Sequence, residues 1–92
     1  MIVHFRHRGL RRLHERGDRS GVAARHVHRI RLILQQLDVA TGPQDIELHS
    51  LDLHPLRGDL AGHWALRVSG NWRITFRFED GDVRDVDLTD YH

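Results

Sequence analysis

Asp90-Tyr91-His92 closes a regular alternation, Asp82-Val83-Arg84-Asp85-Val86-Asp87-Leu88, that reads as a strand. A carboxylate, a phenol and an imidazole are thus carried to the end of an ordered element. Upstream, Leu53-His54-Pro55-Leu56-Arg57-Gly58-Asp59 supplies a second imidazole and a guanidinium. Two imidazoles, a carboxylate and arginines are a sufficient set for cutting RNA without a metal. One imidazole takes the proton from the 2'-hydroxyl, another group protonates the leaving 5'-oxygen, and arginine stabilises the charge on phosphorus.

The elements that must position these groups can be read from hydrophobic spacing. Ile2–Arg6 alternates apolar and polar and predicts a short first strand. His7–Arg16 predicts a helix with Leu10 and Leu13 inward and Arg8, Arg11, Arg12 and Arg16 outward, stopped at Gly17. After a turn at Asp18–Gly21, a second helix is predicted from about Ala23 to Ala40. Val27, Ile30, Ile33, Leu34 and Leu37 share one arc of it, and Arg25, Arg29 and Gln36 lie opposite. Leu32 falls on the polar side, which calls for a covering partner. Gly42-Pro43 ends the helix, and Gln44–Leu53 reads as irregular, with room for one helical turn.

From Leu53 onward the period changes to two. A three-residue loop, Ser69-Gly70-Asn71, pairs Val68 with Trp72, Leu66 with Ile74 and Trp64 with Phe76. This register keeps one face consistently apolar. It sets Arg67 opposite Arg73, a like-charge pair that is mildly destabilising and points to a bound anion. Placing Val86 and Leu88 on the face of Ile74 and Phe76 sets Asp85 opposite Arg77. That pairing requires an odd loop or a bulge at Asp80-Gly81-Asp82, although Asp-Gly by itself signals a two-residue turn.

Ninety-two residues bound the chain to one domain, 1–92, with a modest core. The absence of cysteine excludes disulfides, thiolate metal sites and a cysteine nucleophile. No apolar run approaches the roughly 20 residues that span a bilayer, and the N-terminus is too polar for a signal peptide. A cytoplasmic protein that does not engage membranes is expected. The net charge of +1 conceals an asymmetry. Residues 1–31 hold nine arginines against Glu15 and Asp18, whereas residues 32–92 hold five arginines against eleven acids. Every basic side chain other than histidine is arginine, a planar and permanently charged group suited to phosphate. The basic N-terminal layer, Arg8, Arg11, Arg12, Arg16, Arg25 and Arg29, is the expected polyanion-binding surface.

Nine histidines invite a metal reading, but their spacing argues against it. His26 and His28 diverge by about 200° on a helix. There is no HExxH and no Cys/His cluster, so neither a metal nor another cofactor is expected. Trp64 and Trp72 align with Leu66 and Ile74 and are assigned to the core. Gly58 and Gly62 are turn glycines, and Gly58-x-x-x-Gly62 lacks the Lys-Ser/Thr of a phosphate-binding loop.

The run Leu53-His54-Pro55-Leu56-Arg57-Gly58-Asp59-Leu60, then Gly62-x-Trp64, then Val68-Ser69-Gly70-Asn71-Trp72-Arg73-Ile74-Thr75-Phe76-Arg77-Phe78, resembles the HigB-like toxins of the RelE superfamily. Phe5-Arg6-His7-Arg8-Gly9-Leu10 and the terminal Asp-Tyr-His resemble them too, so the likeness spans essentially the whole chain. It implies an α+β microbial-ribonuclease-like fold, with an N-terminal strand and two helices packed on an antiparallel twisted sheet. It implies ribosome-dependent endonucleolytic cleavage of messenger RNA in the decoding site of the small subunit. Neutralisation would come from a HigA-like helix-turn-helix antitoxin, through which alone DNA would be contacted.

By matching position, the resemblance implies His54, Asp90, Tyr91 and His92 as catalytic residues. Arg73, and by its cross-strand position Arg67, would hold phosphate. The family often carries lysine where this chain has Arg57. Charge for RNA binding is kept, but arginine does not readily donate a proton. His54 and His92 are the candidates for general base and acid, in either order. The alternative reading is a non-catalytic RNA- or protein-binding module that keeps the same fold.

Overall fold

A computed structural model describes residues 1–46 and 52–91. Its elements are α1 (Arg8–Arg16), α2 (Val27–Val39), β1 (His54–Pro55), β2 (His63–Ser69), β3 (Trp72–Glu79) and β4 (Asp82–Asp90). Single 3-10 turns lie at Ala24–His26, Pro43–Asp45 and Gly58–Leu60. The four strands form one antiparallel sheet in the order β1-β2-β3-β4, and the two helices pack on one face of it. This is the expected α+β architecture.

Each helix is bounded by local chemistry. The ring Nδ1 of His7 accepts the Leu10 amide at 3.1 Å and so caps the first turn of α1. Gly17, with φ of 69°, stops α1 in the left-handed region, and its amide bonds back to the Leu13 carbonyl. The segment after Gly17 packs so closely on α1 that a Cβ on Gly9 would lie 2.4 Å from the Gly21 carbonyl oxygen. Leu10 and Leu13 of α1 and Val27, Ile30, Ile33, Leu34 and Leu37 of α2 are buried, as their spacing predicts. They meet Leu66, Val68, Ile74, Phe76, Val83 and Val86 of the sheet in one core. Trp64 and Trp72 are half-buried against it. Leu32 stays exposed, at 44% of its surface.

Three details differ from the sequence reading. The N-terminal segment runs parallel to β4 but joins it only by bridges at Ile2–Val83 and Phe5–Val86, so Ile2–Arg6 is not a continuous strand. Between β2 and β3, Trp64–Phe76, Leu66–Ile74 and Arg67–Arg73 pair as expected, but Trp72 pairs with Ser69, not with Val68. The hairpin closes on the two-residue turn Gly70-Asn71, and the register shift between Arg67 and Ser69 absorbs the parity conflict at Val68. Between β3 and β4 the turn is likewise two residues, Asp80-Gly81, with φ of 54° and 81° as a type I′ turn demands. Arg77 is therefore opposite Arg84, and the extra residue sits inside β4 at Asp85, whose φ is 56°.

Candidate nucleic-acid site on the sheet

Directly paired residues share a face, so the register sorts the candidate residues into rows. On the face turned away from the helices, His54, Ala65, Thr75 and Asp87 form one row across all four strands. The next row is Arg67, Arg73 and Thr89. The Cα atoms of His54 and Arg73 are separated by two strands and two residues, on the order of 12 Å at ordinary sheet spacing. Both residues belong to the same face of the sheet, on either side of Ala65 and Thr75, which are themselves buried at 3% and 5% exposure.

The like-charge pair of Arg67 and Arg73 is thus present as the sequence predicted. Arg73 is held by its own turn: one guanidinium nitrogen donates to the Gly70 carbonyl at 2.8 Å and to the Trp72 carbonyl at 3.2 Å. Arg67 is exposed, and its carbonyl accepts from Nε of Arg29 at 3.3 Å. Arg57 is exposed at the start of the 3-10 turn Gly58–Leu60.

His54 is exposed on β1 and its Nε2 lies 2.8 Å from Oδ1 of Asp52. Asp52 has a φ of 60°, in the left-handed region. At the other edge of the sheet, Asp90 pairs with Trp72 and therefore lies on the helix side of the sheet. Tyr91 extends the ladder by one rung, its amide donating to the Asn71 carbonyl at 2.8 Å. Asp90 and Tyr91 thus stand at the end of β4, beside the turn that holds Arg73. His54 and Asp90 belong to the two outer strands, so the structure places them across the sheet from one another. His92 lies outside the described residues, as do residues 47–51 of the Gln44–Leu53 stretch.

The end of the sheet that carries Arg73 is tied to the helices. His26, only 3% exposed, sets Nε2 at 3.1 Å from Oγ of Ser69, and its ring meets Trp72 edge-on at 6.1 Å. Loss of hydration, with the neighbouring Arg25 charge adding to it, pushes the His26 pKa below its ordinary value. The opposite end is held by ions. The Asp85 carboxylate accepts from Nε of Arg77 at 2.6 Å and lies 2.8 Å from Nδ1 of His4, while Arg77 also bonds Glu79. The Arg77 hydrogen bond, followed by that to His4, holds the Asp85 carboxyl below the usual range against the opposing effect of burial.

The six arginines of the predicted basic layer divide into two groups. Arg8, Arg11, Arg12 and Arg16 surround a groove of about 380 Å³ on α1, together with Glu15. Arg11 Nε is 3.7 Å from Glu15, and Arg12 Nε is 3.6 Å from Asp18. Arg25 lies instead beside His7, His26, Trp72 and Leu88 on a second groove of about 200 Å³, and Arg29 reaches the β2–β3 hairpin. Among the described residues, no three His, Asp or Glu side chains gather closely enough to hold a metal ion, and no helix is long and apolar enough to cross a membrane.

Sequence reasoning missed Asp52 and the His26–Ser69 contact. A carboxylate two residues before an extended histidine was the available signal for the first, because side chains two apart in an extended chain fall on one side. Nothing local signals the second, which joins residues 43 positions apart.

Residues 3–92 match the family model described as HigB-like toxin, the RelE-like toxin of the type II toxin–antitoxin system HigB. The chain is 46% identical to the protein named Endoribonuclease HigB from Proteus vulgaris, over 92 residues that cover all of both chains.

Proposed function

The chain belongs to the HigB-like family of type II toxins, which act with an antitoxin partner, and from that premise we propose that it is an endoribonuclease that cuts messenger RNA on the translating ribosome. The observation that carries this reading is the Arg67–Arg73 pair on the open sheet face, one row from His54 and beside the end of β4. Two cations set directly opposite each other repel unless an anion lies between them. The phosphate of an extended RNA strand is such an anion, and guanidinium groups match its geometry.

In this reading Arg67 and Arg73 hold the scissile phosphate. His54 and His92 divide the roles of base and acid, and Asp90 orients or tunes an imidazole. Tyr91 stacks on a base or hydrogen-bonds near the phosphate. The 2'-oxygen attacks phosphorus and the 5'-oxygen leaves, a step that requires proton transfer but no metal. The site is an open surface, so the ribosome must supply the in-line geometry of the RNA, an effect that can be worth several kcal/mol. The arginines of α1 dock on ribosomal RNA, and a HigA-like helix-turn-helix protein neutralises the toxin in the cytoplasm.

Incubation of the purified chain with a message, with and without translating ribosomes, tests the reading. Cuts are expected only with ribosomes, and the upstream fragments should end in a 2',3'-cyclic or 3'-phosphate. Fragments ending in a 3'-hydroxyl would overturn the mechanism. Intact messages and normal growth of cells expressing the folded chain would favour a non-catalytic binding module instead.

A further inference from the structure

The short contact between Asp52 and His54 has no counterpart in the reading above. We propose that Asp52 is a positioning residue for His54, and that this pair makes His54 the general base of the cleavage. The proposal rests on His54 being a catalytic residue.

Oδ1 of Asp52 lies 2.8 Å from Nε2 of His54, a distance that requires a proton between the two atoms. An ionised carboxylate has no proton to give, so Nε2–H is the donor. A neutral ring that donates from Nε2 keeps its lone pair on Nδ1, and Nδ1 is then the atom that accepts a proton. The backbone holds this arrangement from both sides. Asp52 is turned into the left-handed region, with φ of 60°, a conformation that aspartate tolerates better than most side chains. Pro55 biases His54 to an extended backbone, and the two pair with Ala65 and Trp64 at the sheet edge. Both side chains remain more than half exposed, at 57% for His54 and 56% for Asp52. An ion pair so exposed contributes little to stability. Loss of the ion pair itself therefore costs the fold little.

The proton transfers then balance as follows. Nδ1 of His54 takes the proton of the 2'-hydroxyl as the 2'-oxygen bonds to phosphorus. The bond from phosphorus to the 5'-oxygen breaks, and that oxygen leaves with a proton from a separate general acid. The products are a 2',3'-cyclic phosphate and a 5'-hydroxyl. Asp52 keeps its hydrogen bond to Nε2–H throughout, facing the ring that becomes positive. With the base assigned to His54, the acid falls to the end of β4, the role open to His92.

Ring ¹⁵N shifts of His54, measured on the chain labelled at histidine, read the tautomer directly. In the wild type His54 should hold more of the Nε2–H form than the exposed His28 does, and in Asp52→Ala the two should agree. Single-turnover cleavage of ribosome-bound message is the second measurement. Asp52→Ala should lower the rate at saturating protein about tenfold, less than the ~10²–10⁴ lost with a base itself. The concentration giving half-maximal rate should not change, and Asp52→Glu should recover part of the loss. Equal tautomer ratios for His54 and His28 in the wild type would overturn the pair. An Asp52→Ala chain as fast as wild type, with His54→Ala inactive, would overturn its role in catalysis. A fully active His54→Ala chain would instead remove the premise that His54 is catalytic, whatever the tautomer.

Discussion

The Asp85 carboxylate accepts a 2.6 Å hydrogen bond from Nε of Arg77 although the two residues are not cross-strand partners. The bulge in β4 makes this possible: the left-handed backbone at Asp85 turns its side chain toward Arg77, His4 and Arg6 together. One carboxylate thereby joins β3, β4 and the N-terminal segment. Asp85→Asn keeps a side chain that tolerates the left-handed region but removes the charge. A hydrogen bond to a charged partner contributes about 1.5–3 kcal/mol, and the lower end is expected here because Arg77 is partly exposed. The urea midpoint at neutral pH should fall accordingly, and amide exchange across Ile2–Arg6 should accelerate. Because the folded carboxyl titrates below its unfolded value of about 3.9, this stability is present above that pH and is lost as pH falls further. The variant should lose that acid limb.

His26 gives the opposite end of the sheet a different dependence. Its folded pKa is depressed, so between the folded value and about 6.5 the unfolded chain binds the additional proton. The stability involved is present above about pH 6.5 and is lost as pH falls. His26→Phe retains a ring against Trp72 and removes the titration. Urea midpoints at about pH 7 and about pH 5.5 should differ less in the variant than in wild type. An equal difference in the two chains would exclude His26 as the source.

Much of this architecture was legible in the sequence because burial imposes a period. The arc from Val27 to Leu37 and the pairs Trp64–Phe76 and Leu66–Ile74 follow from keeping one face apolar, and Arg67–Arg73 follows from them. The positions of the bulges were not legible. A period-two reading allots one residue to each rung, so the conflict at Val68 reads as a three-residue loop and the second as an odd loop or a bulge at Asp80-Gly81-Asp82, whereas the chain keeps two-residue turns and places the extra residue within the strands. The candidate site was recognisable by residue type, but its layout was not. Only the register reveals that Arg73 and Thr89 share the open face while Asp90 turns to the helix side.

The arginines of α1 should set affinity without setting chemistry. Arg11 and Arg12 each have an acid within 4 Å, so Arg8 and Arg16 are the better positions to change. Arg8→Glu with Arg16→Gln should weaken ribosome association and make it less steep in salt, since fewer counterions are released. Both sites are exposed, so the folded state should change by no more than about 0.5 kcal/mol. Sedimentation with ribosomes at two salt concentrations measures the effect. Association equal to wild type at both would make this surface a solvated helix face.

His92 carries the sharpest expectation for the proposed chemistry. The sequence places an imidazole directly after Asp90 and Tyr91, and β4 with the residue that follows it sets those two at the rim of the sheet beside Arg73. Imidazole is the side chain whose unperturbed pKa lies near neutrality, so it can give a proton to the leaving 5'-oxygen and regain one afterwards. With His54 taking the first proton, loss of the acid should slow the step by about 10²–10⁴-fold. His92→Gln keeps a polar side chain but not the titrating ring. The variant should no longer arrest growth, while antitoxin binding and thermal unfolding stay near wild type. Single-turnover cleavage of ribosome-bound message decides the point. A His92→Gln chain that cuts within a few-fold of the wild-type rate would take His92 out of the chemistry, and the leaving oxygen would need its proton from another group at the end of β4.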